Sequence, residues 1–128
     1  MPSYGCDHIH LVSPDPLKTA QFYERMFKAK RLRVTEVEGG GVHVQLDLNG
    51  LKLVVANPRV KALAVTAGDG CGIEHFGIKT DDIKKTVGEL KAAGVKFVQE
   101  VVEGHSGTKH GFFLGPDNML IELLERKG

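Results

Sequence analysis

The chain has 128 residues, which suits one ordinary domain with its own hydrophobic core. Hydrophobic residues make up 41% and charged residues 26%, and the net charge of +1 lacks the strong positive excess typical of nucleic-acid-binding proteins. No run approaches the ~20 apolar residues of a membrane-spanning helix. No secretory signal pattern opens the chain. With only Cys6 and Cys71, we expect a cytoplasmic protein with reduced thiols that binds neither nucleic acid nor a membrane.

Two stretches of the chain repeat each other. One begins Asp7-His8-Ile9 and the other begins Glu74-His75-Phe76, and each reaches an aspartate seven residues after its histidine. Those aspartates, Asp15 and Asp82, each precede a helical pattern, and aspartate is a favourable N-cap residue. The repeat therefore predicts two copies of one structural module.

In the first module, a strand from residue 7 leads into a helix that begins after Asp15. Residues 32–37 are expected to form the next strand. The alternation of apolar and polar residues from Val42 to Leu46 predicts another. Asn49-Gly50 is a strong two-residue hairpin turn, so residues 51–56 are expected to return antiparallel.

In the second module, Ile83, Val87 and Leu90 fall on one helical face, and Gly94 is placed to end that helix. Strands are expected at residues 95–102, 110–114 and 119–124. The prediction is therefore an α+β fold in which two βαβββ modules make up a single domain, residues 1–128. Module one covers residues 7–58, a linker covers 59–72, and module two covers 73–125.

Strand alternation predicts which side chains face away from the helices. Residues i and i+2 of a strand share a face, so His8 and His10 lie opposite their apolar neighbours, as does His75 in the second module. Glu122 stands inside the apolar run 119–124, where burying an unpaired carboxylate would be costly. A metal ion or a cationic partner would remove that cost.

Taken singly, each of these residues has an ordinary structural interpretation, as a hydrogen-bonded histidine in a strand or a solvent-facing glutamate. The spacing favours a shared site, because the interval from His8 to His75 nearly equals the interval from Val54 to Glu122. Neutral imidazole and carboxylate ligands suit Fe(II), Mn, Zn, Ni or Co. We therefore expect a divalent metal held by His8, His75 and Glu122.

The chain resembles the vicinal oxygen chelate superfamily, which includes glyoxalases, bleomycin-resistance proteins and extradiol dioxygenases. The resemblance covers about residues 7–125. It is carried by Asp7-His8-Ile9-His10-Leu11-Val12, Glu74-His75-Phe76-Gly77-Ile78 and the segment Gly115-Pro116-Asp117-Asn118-Met119-Leu120-Ile121-Glu122-Leu123. It implies that the modules curl into a U-shaped half-barrel cleft holding a divalent metal. By position, the family ligands fall on His8, His75 and Glu122.

The fourth family ligand position falls on Val54, which cannot bind a metal. Glyoxalases have a carboxylate there and methylmalonyl-CoA epimerases have Glu or Gln. The remaining 2-His-1-carboxylate set is similar to that of ring-cleaving dioxygenases, so the resemblance slightly favours a dioxygenase-like enzyme acting on a small oxygen-chelating substrate. A glyoxalase- or epimerase-type lyase or isomerase is the first alternative. A metal-free drug-binding protein of the bleomycin-resistance kind is the second.

Two histidines are candidate catalytic residues. His10 shares the strand face of His8 and could be a proton-transfer base, a further ligand or a wall of the cleft. His110 lies two residues before Phe112, the position at which extradiol enzymes carry a tyrosine acid, and could substitute for that acid. We expect a homodimer, because isologous dimers are the commonest soluble oligomers.

Overall fold

The structure is a computed structural model that describes residues 2–37, 39–58, 71–104, 106–116 and 119–127. In chain order its elements are β1 (Tyr4–Val12), α1 (Pro16–Phe27), β2 (Lys30–Val37), β3 (Gly41–Leu48), β4 (Leu51–Ala56), β5 (Gly72–Thr80), α2 (Ile83–Ala92), β6 (Phe97–Glu103), β7 (Lys109–Leu114) and β8 (Leu120–Glu125). This order confirms the predicted α+β fold of two βαβββ modules. Most of the predicted linker, residues 59–70, lies outside the described residues.

The chain divides into two compact units. The first unit is His8–Glu74, and the second unit is Met1–Asp7 together with His75–Gly128. The sheet of the first unit has the order β2-β3-β4-β1. That of the second unit has the order β5-β8-β7-β6, with the start of β1 beside β5.

An ion pair joins the first residues of β1 to the end of the second unit. Asp7, whose side chain is 5% exposed, accepts two hydrogen bonds from the guanidinium of Arg126, at 2.8 and 2.7 Å. The backbone N–H of Ser3 donates to Asp81 Oδ1 at 2.8 Å. Strand β1 therefore begins three residues earlier than the sequence pattern suggested, at Tyr4.

In the first unit, β1 runs parallel to β4, with Ile9 opposite Leu53 and Leu11 opposite Val55. Ile9 and Leu11 pack against a core formed by Ala20, Ala29, Val44, Leu46, Leu53 and Val55. Their orientation towards α1 is as predicted. The turn at Asn49 and Gly50 has positive φ angles of 48° and 102°, which a tight hairpin between β3 and β4 requires.

In the second unit, β5 runs parallel to β8, with Phe76 opposite Ile121 and Ile78 opposite Leu123. All four side chains lie in the core under α2, whose other members include Ile83 and Phe113. This confirms the predicted helix-facing parity of both strands. The pair between them, Gly77 and Glu122, belongs to the opposite face.

Both helices begin with the same cap. Asp15 Oδ1 accepts a hydrogen bond from the N–H of Lys18, and Asp82 Oδ1 accepts one from the N–H of Lys85. A threonine in each helix also bonds to a hydroxyl just before it, in the pairs Ser13–Thr19 (2.7 Å) and Thr80–Thr86 (2.9 Å). The two modules therefore share these side-chain contacts as well as the sequence pattern.

The end of α2 explains why β6 begins later than expected. Gly94 has a φ of 92°, its N–H donates to the carbonyl of Lys91, and the N–H of Val95 donates to that of Leu90. This is a Schellman motif, in which Val95 completes the helix cap instead of starting a strand. Neither α1 nor α2 is long and apolar enough to cross a membrane.

Candidate metal site

Glu122 and His75 lie on neighbouring strands of the second unit, on the face away from α2. Glu122 is opposite Gly77 on β5 and opposite Phe112 on β7. The side chain of His75 is 1% exposed and that of Glu122 is 13% exposed. Because residue 77 is a glycine, no side chain directly opposite Glu122 on β5 keeps the carboxylate from approaching His75.

Both oxygens of Glu122 lie close to a histidine nitrogen. His75 Nε2 is 3.3 Å from Oε1, and His110 Nδ1 on β7 is 3.2 Å from Oε2. These separations exceed the 2.7–2.9 Å typical of a charge-assisted N–H···O bond. Two ligand atoms bound to one ion at about 2.1 Å lie roughly 3.0–3.4 Å apart when their angle at the ion is between a right angle and a tetrahedral angle. The 3.3 Å between His75 Nε2 and Glu122 Oε1 falls in that range, so this pair of donors fits a divalent metal.

His110 adds an unusual feature to this group. Its Nδ1 is buried, and among the residues that the structure describes no group completes a hydrogen bond with it, although Glu122 Oε2 is within 3.2 Å. The contact is thus a close approach without the alignment of a hydrogen bond. A buried ring nitrogen in this state needs a proton-exchange partner or a ligand to justify its desolvation.

Arg126 follows directly after β8, the strand of Glu122, and carries a permanent positive charge. The pKa of its guanidinium is raised, chiefly by hydrogen bonding to Asp7, and the negative charges of Asp7 and Glu122 add to this effect while burial opposes it. The arginine therefore stays charged.

In the first unit, three histidines share the face away from α1. His8 and His10 are both buried, their ring centroids are 6.5 Å apart, and each offers a ligand nitrogen within 4.8 Å of the other's. The ring of His43 on β3 lies 6.2 Å from that of His10. His10 is opposite Val54 on β4.

The structure thus brings together predicted site residues within each unit: His75, Glu122 and His110 in the second, and His8 and His10 in the first. Sequence reasoning missed two neighbours of these groups. One is His43, although the interval from His43 to His110 is the same as that from His8 to His75. Arg126 follows the last predicted strand, and no sequence pattern singled it out.

Comparison with known proteins points to one family. Residues 5–123 match the family model described as the Glyoxalase/Bleomycin resistance protein/Dioxygenase superfamily. Glyoxalase I of Saccharomyces cerevisiae is 27% identical over 148 residues, which cover 96% of this chain and 45% of the yeast protein. A probable chloroplastic lactoylglutathione lyase of Arabidopsis thaliana is 45% identical over 58 residues, 44% of this chain and 17% of that protein.

The chain therefore spans less than half the length of these two relatives. Among solved structures, methylmalonyl-CoA epimerase from Mycobacterium tuberculosis matches with a TM-score of 0.77 and 20% identity, over 97% of this chain and 89% of the epimerase. That likeness shows a common fold. The named relatives are a lyase and an epimerase, and the match to the family model covers nearly the whole chain. The chain belongs to the glyoxalase/bleomycin resistance protein/dioxygenase superfamily.

Proposed function

We propose that the protein is a divalent-metal-dependent enzyme that acts on a small substrate with neighbouring oxygen atoms, and that His8, His75 and Glu122 are metal ligands. The observation that carries the proposal is the carboxylate of Glu122, whose Oε1 lies 3.3 Å from Nε2 of the buried His75. His8 joins the set because it is the repeat counterpart of His75 and is also buried. The candidate metals remain Fe(II), Mn, Zn, Ni and Co.

The bound ion would supply Lewis-acid charge that stabilises an oxyanion developing on the substrate. The protein's own part is to hold and move a proton. His110 is suited to this, because its Nδ1 lies beside Glu122 Oε2 while its side chain remains 29% exposed. An imidazole side chain can take a proton from a carbon next to a carbonyl and return it.

Of the reactions known in the family, proton transfer of the lyase or isomerase type has the support of the named relatives, a lactoylglutathione lyase and a methylmalonyl-CoA epimerase. We therefore place the substrate among thioesters of small 2-hydroxy or 2-methyl acids, or their precursors. The dioxygenase-like alternative is supported by Val54, which leaves the second unit's carboxylate without a counterpart in the first unit. The close approach of His75 to Glu122, whose side chains are 1% and 13% exposed, supports a metal-binding protein over a metal-free drug-binding protein.

The test is an exchange experiment in D₂O. The purified protein is loaded in turn with Zn, Ni, Co, Mn and Fe(II) and incubated with methylmalonyl-CoA or S-lactoylglutathione. We expect deuterium to appear at the carbon next to the thioester carbonyl with at least one metal. Oxygen-dependent ring opening of a catechol by the iron form, without any exchange, would support the dioxygenase alternative. Neither activity in any loaded form would contradict the proposed enzyme.

We further propose that the protein is a cytoplasmic homodimer. Cys6 and Cys71 are both exposed, as suits a reducing compartment. In the first unit, Phe22, Met26 and Phe27 on α1 are exposed, and the rings of Phe22 and Phe27 are in contact. An exposed apolar cluster of this kind is typical of a protein–protein interface, and a second copy of the chain would cover it.

A further inference from the structure

We propose that His10 is a fourth metal ligand, which replaces the donor missing at Val54. The assignment rests on the proposed metal site and adds to it a second ligand from β1, the strand of His8. Its basis is a difference between two equivalent residue pairs, His10–Val54 in the first unit and Gly77–Glu122 in the second.

The two pairs occupy the same place in each module. Strand β1 runs parallel to β4 with His10 opposite Val54, and β5 runs parallel to β8 with Gly77 opposite Glu122. Gly77 is the repeat counterpart of His10, because each lies two residues after the matching histidine of its strand, His75 or His8. Both pairs belong to the sheet face away from the helix, because their strand neighbours pack in the helix-facing cores.

Each pair contains one residue that can bind a metal and one that cannot. In the second unit the donor, Glu122, is on the last strand and faces a glycine. In the first unit the donor, His10, is on the first strand and faces a valine. Each pair thus has one donor, which lies on the first strand of the module in the first unit and on the last strand in the second unit. The two modules therefore have the same number of donors at this position.

The position of His10 is compatible with ligation. Its ligand nitrogen lies within 4.8 Å of that of His8, and both rings are buried. Two nitrogens that bind one ion at about 2.1 Å must come within roughly 4.2 Å of each other, so a modest side-chain rotation is enough. A histidine–X–histidine pair on a strand presents both rings on one face, which is the geometry that chelation needs.

The neighbour of His10 strengthens the parallel. His43 on β3 lies beside His10, with ring centroids 6.2 Å apart, and His110 on β7 lies beside Glu122. His43 and His110 are separated by the same interval in the chain as His8 and His75, so they are repeat counterparts too. Each proposed donor thus has a histidine near it from the third strand of its module, β3 for His10 and β7 for Glu122.

A fourth protein ligand bears on the reaction. Three protein donors leave more open coordination positions than four, and O₂ chemistry needs an open position besides those of a chelating substrate. Ligation by His10 therefore favours the lyase or isomerase type of reaction over the dioxygenase-like alternative.

The experiment uses Co(II) as the probe. Metal-free protein is titrated with Co(II), and the affinity and the d–d absorption spectrum are recorded for the wild type, His10→Ala and His43→Ala. We expect His10→Ala to weaken binding on the order of 100-fold or more, since loss of even an outer-shell partner costs about 10–100-fold. Its spectrum should change with the coordination number, whereas His43→Ala should keep the wild-type spectrum.

A double variant tests directly whether the donor of the first unit can be moved from β1 to β4. His10→Gly combined with Val54→Glu gives the first unit the arrangement found at Gly77 and Glu122, and we expect it to bind Co(II) more tightly than His10→Gly alone. In the proton NMR spectrum of the Co(II)-loaded wild type, each histidine ligand gives one paramagnetically shifted, exchangeable ring N–H signal. We expect three such signals. Two signals would overturn the assignment of His10 without the need for a variant. Binding that His10→Ala leaves unchanged would also overturn it. No Co(II) binding by the wild type would contradict the proposed metal site itself.

Discussion

Gly77 on β5 and Glu122 on β8 are direct partners in a parallel strand register. The absence of a side chain at residue 77 leaves the carboxylate room to approach His75, 3.3 Å away. Helix-facing neighbours on both strands are buried in one core, which fixes the register, since a shift by one residue would turn every side chain to the other face. The core of the second unit thereby determines the position of the candidate metal ligand.

His110→Ala separates proton transfer from metal binding. We expect the variant to retain the wild-type metal content but to lose turnover by a factor of about 10²–10⁴, the usual contribution of a general acid or base. Metal content and deuterium exchange are measured on the same sample. A variant that loses its metal would show instead that His110 is a ligand, and one that keeps full turnover would exclude it from catalysis.

The Asp7–Arg126 pair is expected to hold the start of β1 to the second unit. Arg126→Ala leaves the nearly buried carboxylate of Asp7 without its partner, so we expect a loss of about 1–3 kcal/mol in the free energy of unfolding. A double-mutant cycle with Asp7→Asn, followed by urea denaturation, measures the coupling. The exposed pair Lys91–Glu100 is the control, with an expected coupling of about 0–1 kcal/mol. Equal couplings would contradict the structural role of Asp7.

Gly111 lies on β7 between His110 and Phe112, where no side chain fits easily. A Cβ at this position would lie 3.0 Å from the carbonyl oxygen of Gln99 and 3.1 Å from Val101 Cγ2. We expect Gly111→Ala to destabilise the protein by about 1–3 kcal/mol because β6 and β7 must move apart. Gly88→Ala in α2, where a Cβ meets nothing within 4 Å, should instead stabilise it by about 0.5–1 kcal/mol. Thermal unfolding of both variants checks the contrast.

The apolar cluster on α1 should control assembly. Met26, 62% exposed, is changed to lysine, and we expect the dimer dissociation constant to rise at least tenfold, about 1.4 kcal/mol, in sedimentation equilibrium. Gln21→Lys adds the same charge to an exposed polar position of the same helix and should leave the constant unchanged. A monomeric wild type, or equal effects of the two substitutions, would exclude this cluster as the dimer interface.

Much of the fold was predictable because short-range signals agree with the packing. Strand β4 has the predicted bounds, and the predicted cap at Asp15 is confirmed. The early start of β1 at Tyr4 was not predicted, and the pairing of Asp7 with Arg126, near the other end of the chain, does not follow from local sequence. The late start of β6 depends on Val95 completing the helix cap, which residue type alone does not show.

The faces of the candidate site were predictable from period-two alternation, which placed Glu122 and His75 opposite the core. Their mutual contact depends on which strands pair and in which register, and neither follows from alternation alone. For the same reason, alternation alone did not predict that His43 lies near His10, because this requires β3 to lie beside β4 and β4 beside β1. The equal spacing of the repeat could have identified it.

The most direct test of the central claim is the metal content of freshly purified protein, measured by elemental mass spectrometry beside Glu122→Ala and the control Glu103→Ala, which removes an exposed carboxylate on β6. We predict about one transition metal ion per chain in the wild type and the control, as expected for a single His/His/Glu site, and a loss of that ion in Glu122→Ala. Folding of all three proteins is checked by circular dichroism. A wild type that holds no metal even after reconstitution, or a Glu122→Ala variant that holds as much as the control, would contradict the account.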